Sequence, residues 1–446
     1  MPNDAGLLKP RRMLSPVRPD ALMLLVWVAL VAIYFVTPIQ YQLTPGWMTW
    51  MVVAGGVGLY SLGNAIDAKP STHRTDARTV EIAIYVCAAL GFLGILCILV
   101  DKFALSGIDW SQGFRAVRDR RSEELLAGIA VPRSGLLYAG YLSFSFSCVA
   151  FALFILDGDR ISRLAGLAGL ASAAPEAIYA VLYGGRFPIL IVILLAVSAG
   201  MVRRLQGRSF FPGGWLIWPA IAATAVGLAI YTNAIFENTR VRVEVVDFDQ
   251  FMARAAERWY LRPSEWVIAA VASGTLSASA AMNGISVAMY LTHSLTVLER
   301  IMNHLSELSI YGGLYQVGVL SPLFDQFAPY LDFPAKMRRE LIGIDIYGWY
   351  PSAWGAWIAD AGIYAGAVCV FLWGLGSGLA FRKARDGDVS WSLMLIFVYT
   401  SVFYSPIQAP FGIANSFLIF GSFLAAAAAI ALVRRWTRSA PAPATA

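Results

Sequence analysis

The stretch AAPEAIYAVLYGGRFPILIVILLAVSAG, residues 173–200, joins two apolar runs through Gly184, Gly185 and Arg186. An arginine at mid-membrane depth costs at least ~2.5–3.5 kcal/mol. A chain that keeps one between two such runs sets it at an interface or gives it an anion. The stretch therefore reads as two membrane helices meeting at the edge of a bilayer. Similar runs recur along the chain. Of 446 residues, 58% are hydrophobic and 14% charged, whereas a soluble domain carries about 25% charged residues. Ten runs approach or exceed the roughly 20 residues of a bilayer span. They lie at about 21–39, 46–65, 80–100, 135–156, 162–182, 187–202, 214–235, 353–380, 390–405 and 411–433. The expected fold is an all-α polytopic membrane protein of about ten transmembrane helices. The first run is too long for a signal-peptide core and follows a polar, basic start, so it is expected to stay as a helix.

Sidedness follows from the short loops, which keep Lys and Arg on the cytoplasmic side. Lys9, Arg11, Arg12 and Arg18 precede the first run, and Lys69, Arg74 and Arg78 follow the second. Arg160 and Arg163 come next, then Arg203, Arg204 and Arg208, then Arg382, Lys383 and Arg385, and last Arg434, Arg435 and Arg438. Every second loop is basic. Ten spans with both termini inside put all six segments on one face, while the opposite loops TPIQYQLTPG and SPIQAP carry no charge. The net charge of +6 thus belongs to membrane topology and implies no nucleic acid. Residues 1–235 form an N-terminal bundle of about seven helices, with an outer loop at 101–134. A large, mostly helical outer loop covers 236–352, between spans seven and eight. Residues 353–446 hold about three spans and a short cytoplasmic tail. Loops this long are usually functional. The apolar stretch WVIAAVASGTLSASAAMNGISVAMYL within the large loop has no second run to pair with, so it is expected to lie on or dip into the membrane.

Candidate chemistry gathers on the outer side. Arg186 offers a planar, permanently charged fork suited to phosphate oxygens; its plain structural reading is a snorkelling residue at a helical corner. FRAVRDRRSEELLAG places Arg115, Arg118 and Arg121 at helical spacing, with Arg120 beside them. Arg240 and Arg242 stand where the large loop leaves the membrane. Of three histidines, His73 is on the inner side, while His293 and His304 fall in the large loop. Imidazole is the usual proton acceptor near neutral pH. Asp360, in the first turns of an apolar run, and Glu176, inside span five, are the carboxylates that membrane depth makes notable. An ion pair with a neighbouring arginine is the alternative for each. Cys87, Cys97, Cys148 and Cys369 read as small core residues. No His, Cys, Asp or Glu set has metal-ligand spacing, so no metal and no other cofactor is expected.

The order YGGRF, then YLTHS in a large outer loop, then YPSAWGAWIADAGIYAG opening a span, resembles the O-antigen polymerase and oligosaccharide repeat-unit polymerase family. The matching positions are Gly184, Gly185 and Arg186, and Tyr350, Ser352, Asp360, Gly362 and Gly366. The resemblance implies a GT-C-type membrane glycosyltransferase of the bacterial inner membrane. Such an enzyme moves a growing glycan between undecaprenyl-pyrophosphate carriers on the periplasmic side, without nucleotide sugar or metal. A flippase and a chain-length regulator are the protein partners it implies, beside the lipid bilayer. Under that reading His293, Asp360 and Arg186 are the catalytic set. His293 is the preferred base, and Asp360 orients an arginine or a sugar hydroxyl. Arg115, Arg118, Arg240, Arg242, Tyr183, Tyr290 and Tyr350 bind the substrate or its pyrophosphate. An O-antigen-ligase-type transferase and a transporter or flippase of lipid-linked glycan are the other readings.

The charge pattern is checked by reporter fusions. A fusion after Arg204 is expected to report the cytoplasm, and one within 240–340 the periplasm. A cytoplasmic reading for the second overturns the sidedness.

Overall fold

The computed structural model describes residues 17–67, 75–105, 134–183, 187–213, 247–317, 333–412 and 416–439. The chain begins with α1 (Pro19–Val36), a short strand β1 (Ile39–Tyr41), α2 (Trp47–Ala65) and α3 (Ala77–Val100), which runs on as a π turn over Asp101–Leu105. Next come α4 (Gly135–Phe144), α5 (Phe146–Asp157), α6 (Arg163–Ala171), α7 (Ala174–Tyr183) and α8 (Phe187–Leu205). The second half holds α9 (Phe248–Trp259), β2 (Leu261–Pro263), α10 (Glu265–Ala272), α11 (Ala278–Asn303), α12 (Phe333–Gly343), α13 (Ser352–Ala384), α14 (Val389–Tyr404) and α15 (Ser416–Ser439).

Among the described residues, seven segments are long and apolar enough to cross a membrane: Pro19–Val36, Ala77–Leu105, Gly135–Asp157, Arg163–Leu182, Phe187–Leu205, Ser352–Ala384 and Ser416–Trp436. The chain is a mostly helical polytopic membrane protein. Two further expected spans are helical but fall outside that set. The helix α14 has 16 residues, and α2, with four glycines, Thr49 and Asn64, is less apolar. The expected span at 214–235 lies outside the described residues. The stretch from Trp266 to Leu291 is not one span: it breaks between α10 and α11, with Gly274 at φ 72°. At 33 residues, α13 measures about 50 Å, more than a hydrocarbon core of about 30 Å needs. It is interrupted at Gly362, whose φ of 74° only glycine adopts readily.

Among the described residues, the segments around Thr75, Arg160, Arg208, Arg382 and Arg434 meet at one end of the bundle. Arg160 donates to Thr75 O at the start of α3, and Arg208 pairs with Asp157 at the end of α5. Gln206 donates to Ala384 O, Arg382 to Asn64 O, and Arg434 pairs with Asp388. Arg203 is fully buried. It donates to the carbonyls of Ile155 and Leu156, capping the C-terminal end of α5, and to Asp159 and Ser209. Arginine suits this because its donors satisfy orphan helix carbonyls while its charge faces the negative end of the dipole.

Tight packing sets the register between α2 and α13. A Cβ on Gly374 would run into the Tyr60 carbonyl, one on Gly378 into the Asn64 carbonyl, and one on Gly63 into the Phe371 carbonyl. Small residues four apart let helix backbones approach closely where no hydrophobic effect draws them together. Trp27 of α1 stacks on Trp354 of α13 with centroids 5.0 Å apart and donates its indole N–H to Ser405. Gly374→Ala is expected to destabilise the protein by about 1–3 kcal/mol through overpacking. Gly376→Ala, whose Cβ meets nothing within 4 Å, is expected to be neutral or stabilising. Denaturation midpoints in detergent check the pair, and equal midpoints contradict the packing account.

Candidate functional site

The site forms at the bundle end opposite the basic segments. There β1 pairs antiparallel with β2, Gln40 opposite Arg262, and the ladder continues through Gln42 N to Tyr260 O and Ser264 N to Pro38 O. This ties the short loop after α1 to the segment around α9–α11. The pairing sets Tyr41 beneath α11. Thr292 donates its hydroxyl to Ala288 O, so the Tyr41 hydroxyl donates to Thr292 Oγ1 at 3.0 Å.

His293 follows, 4% exposed. Its Nδ1 lies 2.8 Å from Met289 O. A carbonyl only accepts, so Nδ1 carries the proton and Nε2 presents a lone pair. Ring centroids of Trp349, Tyr350 and Tyr290 stand 5.7, 6.3 and 6.3 Å from the imidazole. Burial pushes its pKa down to about 4, partly opposed by the Met289 and Tyr290 backbone hydrogen bonds. At neutral pH the ring is an uncharged acceptor.

Seven residues on, two helical turns, Arg300 shares the His293 face. Its Nη1 reaches Asp345 Oδ2 at 3.2 Å and the carbonyls of Ile344 and Asp345. The guanidinium lies 4.0 Å over the Tyr260 ring, and Tyr260 donates its hydroxyl to Asp345 Oδ2 at 2.8 Å. His293, Arg300, Asp345, Tyr260, Trp259, Tyr41 and Trp349 surround a recess of about 10 Å³, near the lower limit for one water. A sugar enters only if the aromatic walls part.

Backbone strain marks the same place. Among the described residues, the non-glycine residues with left-handed φ are Tyr260 at 53°, Asp345 at 54° and Ser352 at 65°. The first two line the recess. Ser352 lies two residues beyond Tyr350 and is pinned through Ser352 N to Ile407 O and Ala353 N to Ser405 O. Such conformations cost about 1–3 kcal/mol each and collect at binding and catalytic sites.

Asp360 stands apart from this group. It is 1% exposed and accepts from Tyr315 N at 2.7 Å and Gln316 N at 3.0 Å, while its carbonyl accepts from Gly312 N. No ion pair reaches it among the described residues. Through these bonds the carboxylate fastens the 311–317 loop to α13. Tyr350 stands at the imidazole, and Tyr290 does too, though its side chain is largely exposed. Tyr183 ends α7. Arg186, Arg115, Arg118, Arg240, Arg242, Arg120, Arg121 and His73 lie outside the described residues. His304 is exposed beside Glu307. Glu176 is buried, with Cys148 Sγ 3.1 Å from its Oε1. Among the described residues no three His, Cys, Asp or Glu converge as a metal site. Below the recess, α2 and α13 enclose an apolar groove of about 300 Å³ lined by Trp47, Met51, Gly55, Trp354 and Trp357.

Sequence reasoning missed Arg300, Asp345, Tyr260 and Trp349. The heptad spacing of His293 and Arg300 was the one signal for the pair. Comparison with protein-family models, curated proteins and solved structures returned no match.

The depressed His293 pKa makes stability depend on pH. Below the unfolded value of about 6.5 the unfolded chain takes a proton that the folded chain refuses. Stability is therefore expected to fall as pH drops from about 6.5 to about 4, by an amount on the order of 3 kcal/mol, and then to level off. His293→Gln is expected to remove that part of the slope in denaturation midpoints measured from pH 7.5 to 4. An unchanged slope contradicts the buried neutral imidazole.

Proposed function

We propose that this protein polymerises oligosaccharide repeat units carried on undecaprenyl pyrophosphate, at the periplasmic face of a bacterial inner membrane. The observation that carries the reading is His293, a neutral imidazole with a free Nε2 in an aromatic recess at the end away from the basic segments. The resemblance in YGGRF, YLTHS and YPSAWGAWIADAGIYAG supports it. Under this reading there are ten spans with both termini cytoplasmic, and the architecture is GT-C-like.

The acceptor sugar hydroxyl gives its proton to His293 Nε2 as its oxygen bonds the anomeric carbon of the donor. The bond from that carbon to the phosphate oxygen breaks, and its electron pair leaves with the lipid pyrophosphate. Arginine cannot take the proton, being always charged, but it stabilises the departing anion. Arg186, with Arg115, Arg118, Arg240 and Arg242, is assigned to that anion. A pyrophosphate beside the imidazole favours its charged form and so raises its basicity from the low resting value. Aromatic rings of Trp349, Tyr350 and Tyr290 offer flat faces to sugar rings. Asp360 acts indirectly, by holding the 311–317 loop.

Purified protein supplied with lipid-linked repeat units is expected to give a ladder of chain lengths. His293→Ala is expected to cut the rate roughly 10²–10⁴-fold, and Arg186→Lys to lose long chains because the two-pronged fork is gone. A normal rate for His293→Ala, with Asp360→Asn inactive, transfers the base role to Asp360. A single transfer to another acceptor, with no ladder, favours the ligase-type reading.

A further inference from the structure

One edge of the Arg300 guanidinium is filled and the other is open. Nη1 makes all of its hydrogen bonds, to Ile344 O, Asp345 O and Asp345 Oδ2. One flat face rests on Tyr260. Nε–H and both Nη2 protons have no partner among the described residues. The side chain is only 18% exposed, so these three donors are held at a fixed orientation. Side by side, Nε and Nη2 form the geometry that takes two oxygens of one oxyanion.

The depth of Arg300 narrows the oxyanion. The preceding residue, Glu299, accepts from Gly46 N and from Thr49 Oγ1 at the start of α2. Tyr41, on the wall of the same recess, stacks on Tyr34 in the last turns of α1, with centroids 5.8 Å apart. Tyr34 in turn meets Phe35 and Trp50 edge-on. Aromatic clusters at the ends of membrane helices mark the headgroup level. Arg300 therefore stands where the phosphates of membrane lipids lie.

We propose that the Nε and Nη2 edge of Arg300 binds the phosphoryl oxygens of a lipid head group beside His293. The inference does not depend on the polymerase reading. Asp345 has a double effect on this site: it orients the guanidinium through Nη1, and its charge opposes an incoming anion. Asp345 sits on the Nη1 side and Tyr260 under the guanidinium face, so neither occupies the open edge. Both an isoprenoid pyrophosphate and an anionic glycerophospholipid present the required oxygens.

The test is titration of purified protein with farnesyl pyrophosphate in dodecyl maltoside, a detergent without phosphate, read by calorimetry. Wild type is expected to bind, Arg300→Gln to bind at least about tenfold more weakly, and Asp345→Asn to bind more tightly. If Arg300→Gln does not fold, Asp345→Asn decides, because a purely structural pair gives no gain in affinity when the acid is neutralised. Wild-type affinity in Arg300→Gln, or no gain in Asp345→Asn, overturns the site. Phosphatidylglycerol in the micelles distinguishes the sources. Weaker farnesyl pyrophosphate binding by wild type, but not by Arg300→Gln, assigns the oxyanion to a glycerophospholipid; unchanged binding assigns it to the isoprenoid pyrophosphate.

Discussion

Backbone N–H groups leaving a helix at the edge of a bilayer have little water to bind, and each one left bare costs several kcal/mol. At the end of the bundle that carries the candidate site, carboxylates satisfy many of them. Glu299 takes Gly46 N and the Thr49 hydroxyl, and so caps α2 from the neighbouring α11. Asp360 takes Tyr315 N and Gln316 N. Glu340 takes Ser309 N, the Ser309 hydroxyl and the Tyr311 hydroxyl. The β1–β2 ladder does the same work with backbone alone. These contacts join residues tens to hundreds of positions apart, and together they hold the outer layer onto the helices.

One consequence is chemical. The oxygens of Glu299, Asp360 and Glu340 are taken up by hydrogen bonds, and Asp345 is shared between Arg300 and Tyr260. His293 is left with one nitrogen engaged and one free. The layer thus leaves an uncharged acceptor and, seven residues along the same helix, a cation with an open edge. Strain at Tyr260, Asp345 and Ser352 is concentrated around that pair.

The fold class and the shared end of the basic segments were legible, because hydrophobic run length and loop charge are local signals. Arg160, Arg208, Arg382 and Arg434 reach across to other segments at that end, as the alternation of basic loops requires. His293 was legible because histidine is scarce and this one falls in a long loop. Arg300 was not. In VLERIMN it reads as a solvated helix face, and its partners Tyr260 and Asp345 lie 40 and 45 residues away. Asp360 was noticed for the right reason, a carboxylate at the head of an apolar helix. Its partners are backbone N–H groups some 45 residues upstream, which no side-chain pattern reveals. The break at Gly362 was equally hidden, since glycine in an apolar helix can also serve close packing, as it does at Gly374.

The central claim is that His293 is held neutral, with its proton on Nδ1 and its Nε2 lone pair free. With three histidines in the chain, nitrogen-15 NMR of histidine-labelled protein tests it directly, the His293 signals being assigned by their loss in His293→Gln. At pH 7 the account predicts a protonated Nδ1 and an unprotonated Nε2. A proton on Nε2, alone or with a second on Nδ1, contradicts it.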